Sequence, residues 1–182
     1  MKFNGKEENL EIQLEKGDFV QLNQKADESL AGTIIRISNI KKISIKNKQG
    51  IAEDVMAIDG YVVLPKNNPD DKMKIININN VMIDQIAPIH PNFGPQEKEI
   101  GQEAVIKFVP LEQGILGEVI MIVLNVKENG RLEGIVVLPK ATKSLILTNV
   151  NPKEVEFLGY APFIPDIENY IKEKRIEGEI IE

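Results

Sequence analysis

The chain has no cysteine and no tryptophan, one histidine, and aromatic residues at only 5% of its 182 positions. Without cysteine there is no disulfide framework, no zinc ribbon and no thiol nucleophile. Any mechanism that needs an imidazole has to run through His90. No acid or nucleophile is patterned around that residue, so it reads as a surface or interface side chain and not as a general base. A glycine-flanked Lys-Ser or Lys-Thr, which would cradle a phosphate at a helix start, is missing, as is a serine on a nucleophile-elbow pattern. Long apolar runs are missing too, so no segment reads as a bilayer span. The opening stretch MKFNGKEENLEIQLEKGD has no apolar core of the signal-peptide kind. These absences lead to the expectation of a protein made and folded in a cytoplasm, with no membrane partner.

Acidic residues outnumber basic ones, 28 against 22, for a formal charge of −6. Affinity for a phosphate backbone comes from clustered cations that displace counterions, so this balance argues against nucleic acid as the main partner. Arg36, Lys41, Lys42, Lys46 and Lys48 form one local stretch without an acid. No aromatic residue interleaves with them for base stacking, and the reading is a solvated strand pair whose lysines oppose edge-to-edge aggregation. Three acidic groups invite a metal or acid–base reading: Asp70-Asp71, Glu53-Asp54 with Asp59, and Glu97, Glu99 and Glu103. None has the oxygen spacing and turn glycine of a calcium loop. A glycosidase pair would face a cleft, usually lined by aromatic residues, in which this chain is poor. No catalytic, cofactor-binding or metal-ligating residue is assigned, and no cofactor is expected.

What the chain does contain is Ile, Val and Leu in strand-like runs, and an internal repeat. GYVVLPK at 60–66 returns as GIVVLPK at 134–140, and IAPIHP at 86–91 resembles YAPFIP at 160–165, both at a spacing of 74. The front halves match in a shifted register: Gly17–Leu22 with Gly101–Ile106, and Leu30–Ile35 with Ile115–Ile120. About ten extra residues fall between Lys41 and Asp59 of the first copy, where a hairpin tip tolerates insertion. Asn80-Val81 pairs with Asn149-Val150. The first copy then has the longer loop at 67–71 and the second a longer connection at 151–153.

Alternation at Leu10, Ile12 and Leu14 predicts a strand. Further strands are expected at 18–22, 32–38, 41–46, 54–58, 60–64, 73–78 and 81–87, then 103–109, 116–125, 131–138, 144–150 and 154–160. Asn129-Gly130 predicts a two-residue hairpin turn, with Lys48-Gln49-Gly50 at the corresponding place. Gly32 and Gly117, inside apolar patterns, predict bulges or close backbone approach. The one helix expected is C-terminal, capped by Asp166, with Ile167, Tyr170, Ile171 and Lys174 at helical spacing. The fold class is therefore all-β: two tandem copies of a small barrel- or sandwich-like unit with a short C-terminal helix. The units are read as 1–91 and 101–182, joined by a linker at 92–100 whose approach His90-Pro91-Asn92-Phe93-Gly94-Pro95 carries two prolines and a glycine.

GILGEVIMIVLNVKENGRLEGIVVLPKA in the second copy, and SLAGTIIRISNIKKISI followed by IDGYVVLPKN in the first, resemble the small β-rich capsid decoration proteins of tailed phages. The resemblance lies in a glycine-led strand, a turn, a strand and a Gly-Val-x-x-Leu-Pro-like element. It implies a non-enzymatic structural protein that reinforces a protein lattice, located in the virion if phage-encoded. The partners implied are capsid or other assembly subunits and further copies of the chain. A second resemblance is to the MazF/PemK toxin barrel. Residues 17–22, GDFVQL, look like its first strand, and 86–91, IAPIHP, look like the strand ending in Ala-Pro-Ile-Thr. His90 stands where that threonine is expected, and the toxin's Arg-Pro pair is absent, so the barrel rather than the RNase activity is what this resemblance implies.

Overall fold

The computed structural model describes residues 2–5, 10–27, 29–68, 70–89, 101, 103–109, 115–139, 145–162, 164 and 180–181. A short hairpin, β1 (Lys2–Gly5) with β2 (Leu10–Gln13), precedes two five-stranded antiparallel sheets. The first contains β3 (Phe19–Leu22), β4 (Ile34–Lys46), β5 (Ala52–Leu64), β6 (Lys74–Met82) and β7 (Ile86–Pro88), in the order β6-β5-β4-β3-β7. The second contains β8 (Ala104–Phe108), β9 (Ile120–Val126), β10 (Leu132–Val136), β11 (Leu145–Val150) and β12 (Val155–Tyr160), in the order β12-β8-β9-β10-β11. Both sheets have one topology: the fifth strand returns beside the first, after a single 3-10 turn at 83–85 or 152–154. The chain is thus all-β and built of two tandem copies. A thirteenth strand, β13 (Ile180–Ile181), adds parallel to β11. The C-terminal helix expected after Asp166 lies outside the described residues.

Strand register equates the copies residue by residue and corrects the sequence alignment. Phe19 faces Arg36 and Val20 faces Ile35; in the second copy Val105 faces Ile122 and Ile106 faces Met121. Val20 therefore corresponds to Ile106, not to Ala104 as the glycine match implied. The turns agree: Gly17 N–H donates to Ile37 O and Glu103 N–H to Val123 O, while Gly32 N–H donates to Leu22 O and Glu118 N–H to Phe108 O. Gly17 and Gly32 have φ of 93° and 89°; Glu103 and Glu118 have φ of 73° and 68°. Left-handed backbone favours glycine, and the second copy places glutamates there instead. Gly101 and Gly117 are therefore not the equivalents of Gly17 and Gly32. Those glycines sit two residues and one residue before the equivalent turn positions.

In the back halves the match of Asn80-Val81 with Asn149-Val150 holds, since Val81 faces Ile58 and Val150 faces Leu132, but only one of the two motifs spaced by 74 is equivalent in structure. Gly60 faces Ile37 and Gly134 faces Val123, so GYVVLPK and GIVVLPK are true equivalents. Ile86, Ala87 and Pro88, however, match Val155, Glu156 and Phe157: Val20 faces Pro88 and Ile106 faces Phe157. The likeness of IAPIHP to YAPFIP is not structural. The connection at 151–153 is not lengthened either, because each copy has one three-residue 3-10 turn there.

Close backbone approach is seen at Gly60 and Gly134. A Cβ at Gly60 would lie 2.7 Å from Arg36 O and 2.8 Å from Ile35 Cδ1. One at Gly134 would lie 2.5 Å from Ile122 O and 2.7 Å from Met121 Cγ. Bulges flank both glycines: the register shifts between Ile37 and Asn39 and between Ile58 and Gly60, and likewise between Glu133 and Gly134 and between Leu132 and Gly134. Bulges bend and twist the ladder, and here they turn equivalent side chains inward. Val20, Leu22, Ile35, Ile37, Ile58, Val62, Ile78 and Val81 are buried in one core with their counterparts Ile106, Phe108, Met121, Val123, Leu132, Val136, Leu147 and Val150.

The copies meet through the same positions on each. Ile34, Val62 and Val63 pack against Ile120, Val136 and Val137, with Ile122 beside them, and the space left among them is about 10 Å³. Such use of one patch by both partners is the mark of an isologous dimer interface, here within one chain. Lys66 N–H donates to Ile115 O at 2.9 Å across the seam.

Two substitutions test this reading. Gly134→Ala forces its methyl onto the Ile122 carbonyl and should lower unfolding free energy by about 1–3 kcal/mol in urea titration. Thr33 is fully buried and its hydroxyl has no hydrogen-bond partner among the described residues; the second copy has Val119 there. Thr33→Val should raise stability by about 1 kcal/mol by the same measurement.

Candidate interaction surfaces

Among the described residues, two departures from the internal symmetry present surface for contact. The first is the β4–β5 hairpin. Its turn has the same form in both copies. Gly50 N–H donates to Asn47 O and Asn47 N–H to Ile51 O; Gly130 N–H donates to Lys127 O and Lys127 N–H to Arg131 O. With Gly50 and Gly130 at φ of 79° and 84°, each is a three-residue loop closed by a left-handed glycine, not the expected two-residue turn. Asn47 Oδ1 accepts from Gln49 and Ile51 N–H, and Asn129 Oδ1 accepts from Arg131 N–H. Between the bulge and the turn the first copy has six more residues on each strand, Lys41–Lys46 and Ala52–Ala57. The pairs of strands expected at 32–38 with 41–46, and at 54–58 with 60–64, are therefore two continuous strands. Six is even, so each side chain keeps its face, and six residues reach about 20 Å further.

Beyond the pairs Phe19–Arg36 and Ala57–Met82, the described residues give this arm no third strand. One face carries Ile43 opposite Val55 and Ile45 opposite Glu53; the other carries Lys42 opposite Met56, Ser44 opposite Asp54 and Lys46 opposite Ala52. Ile51 at the tip is 62% exposed. An isolated two-stranded ribbon is marginal in water, and its open edges are templates for pairing.

The base of the arm is pinned by Asp59. Its carboxylate accepts the Asn80 N–H at 2.9 Å and lies 3.0 Å from Lys41 Nζ. Asn80 has φ of 58°, which turns its N–H toward Asp59. That backbone hydrogen bond, helped by Lys41 and Asn39 against the opposing effect of burial, holds the Asp59 carboxyl below the usual range.

The basic stretch is dispersed by this geometry. Lys41 pairs with Asp59, Lys42 and Lys46 share the opposite face, Lys48 is at the turn, and Arg36 is back in the sheet. Glu53 and Asp54 are exposed on the arm, and Asp71 accepts the Asn68 N–H at 3.1 Å in a surface turn. Glu103 is exposed in its left-handed turn; His90, Glu97 and Glu99 lie outside the described residues. Among the described residues no three His, Asp or Glu side chains converge as metal ligands would, and no helix is long and apolar enough to cross a membrane.

The second asymmetric feature is a cleft of about 360 Å³ at the seam, lined by Phe19, Ile34, Arg36, Tyr61, Val62, Val63, Met73, Glu118 and Ile120. It was not legible in the sequence, because its walls come from both copies. The arm was partly legible as an insertion between Lys41 and Asp59.

Asp59 also sets a pH dependence. A carboxylate with a depressed folded pKa stabilises above its unfolded value and loses that contribution as pH falls through the folded value. Asp59→Asn should cost about 1 kcal/mol at neutral pH and flatten the loss of stability below about pH 4, read by thermal melts across an acid series. No family model, curated protein or solved structure matches the chain.

Proposed function

We propose that the chain is a non-enzymatic interaction protein that docks on a larger protein assembly through its β4–β5 arm. The most concrete form of this reading is a capsid decoration or auxiliary head protein of a tailed phage. The observation that carries it is the arm itself. Twelve residues are added to one copy only, six on each strand. They build a ribbon that contributes little to the shared core and ends on an exposed isoleucine. Backbone N–H and C=O groups along two open edges offer strand addition to a partner, and the half-buried face of Ile43, Ile45 and Val55 offers apolar contact. Loops that carry binding residues on a rigid scaffold are a common arrangement. Self-association of the chain, or repeated attachment to a lattice, would add weak contacts into firm binding.

Removing Lys41–Lys46 and Ala52–Ala57 shortens the arm to the length that the second copy already has. The shortened protein should fold with an unchanged far-ultraviolet spectrum type. Sedimentation velocity of both proteins, alone and with assembled tailed-phage capsids, is the test. The full-length chain is expected to self-associate or co-sediment, and the shortened chain to stay monomeric and free. A full-length chain that remains a free monomer and cleaves RNA would overturn the reading in favour of a toxin-like barrel.

A further inference from the structure

The cleft at the seam occupies a face whose counterpart in the second copy is closed. On that outer face the second copy has Val105, Ile122, Ile135 and Ile146, all buried together with Ile34, Ile89 and Ala161. Register places Phe19, Arg36, Tyr61 and Asn77 at the same four positions of the first copy. Four buried aliphatic side chains are replaced by two aromatic rings and a guanidinium that are half-buried and an amide that is exposed.

Arg36 is held in a fixed pose. Its Nε–H donates to Gly17 O at 3.3 Å, and its guanidinium carbon lies 5.4 Å from the centre of the Phe19 ring. Those contacts use one edge and one face of the fork. Among the described residues it has no ion pair. The one acid in the cleft wall, Glu118, is already 3.4 Å from Lys107 Nζ, which also reaches Glu156. Arg36 is the one cation of a pocket whose other walls are Ile34, Tyr61, Val62, Val63, Met73 and Ile120, and Glu118 directs its carboxylate to Lys107. Met73 is 52% exposed at its mouth. A pre-oriented guanidinium takes a carboxylate through two parallel hydrogen bonds. An apolar cleft of this size with few polar groups has the dimensions of a small-molecule site.

We propose that this cleft binds a small carboxylate carried on a short aromatic or branched aliphatic body, with the carboxylate on Arg36 and the body against Phe19, Tyr61 and Met73. The site is separate from the arm and does not depend on what the arm docks on.

The test is titration of the full-length protein, followed by NMR of methyl and aromatic resonances, with phenylacetate and isovalerate and with phenylacetamide and isovaleramide. The acids should shift Phe19, Tyr61 and Met73, and each should bind at least about tenfold more tightly than its amide. Arg36→Ile takes the residue that the second copy has at this position and should abolish the preference for the acid. Arg36→Lys should retain part of it, and melts of both variants check that they fold. Equal binding of acid and amide, an unchanged preference in Arg36→Ile, or no response of the three lining residues to any of the four probes would overturn the assignment.

Discussion

Each half of this protein depends on one close contact, the passage of a strand glycine over the carbonyl of its neighbour. Gly60 crosses Arg36 O and Gly134 crosses Ile122 O at distances no Cβ would tolerate. Bulges on both sides of the glycine bend the three central strands, and that bend directs eight apolar residues of each copy into the shared core. Hydrophobic burial provides the driving force, but the bend decides which face of each strand is buried. The arm begins just beyond the bulge, and Arg36 enters the cleft from the residue whose carbonyl the glycine covers.

Duplication has conserved the inner face and released the outer one. Inner positions exchange only among aliphatic residues, phenylalanine and methionine, because close-packed cores tolerate changes of shape better than changes of polarity. The buried Thr33, which stands where the second copy has Val119, is the exception. Outside the core the copies have diverged in a directed way. The second sheet is covered on both faces, while the first exposes an aromatic and cationic face and extends a ribbon. One copy thus looks like the more structural half and the other presents the surfaces on which binding is proposed.

The seam links these two roles. Ile34, Val62 and Val63 meet their own counterparts, Ile120, Val136 and Val137. A two-fold interface has two equivalent flanks. Here one flank is filled by Ile122 and Ile135, and the other is the cleft with Arg36 and Tyr61. Fusion of the copies into one chain allows the flanks to differ, which identical subunits cannot do.

Alternation of Ile, Val and Leu, the absence of cysteine and the repeated VVLPK determined an all-β chain of two copies, since a period of two and a recurring glycine–proline frame are local properties. Local pattern failed where geometry replaced residue type. Glu103 and Glu118 hold left-handed turns that glycine holds in the first copy, so an alignment drawn through glycines slipped by one and two residues. YAPFIP looked like IAPIHP, yet backbone hydrogen bonds assign the role of Ile86–Pro88 to Val155–Phe157. The insertion between Lys41 and Asp59 was visible, but its division into six and six, which makes it a ribbon and not a loop, follows only from strand register. The cleft was invisible, because Arg36 and Glu118 are far apart in sequence and only packing of the two sheets brings them to one wall. Sequence by itself determined the strand-forming runs and their repetition; tertiary structure decided which faces are buried and which stay open, because exposure is a property of the pair of sheets and not of either strand.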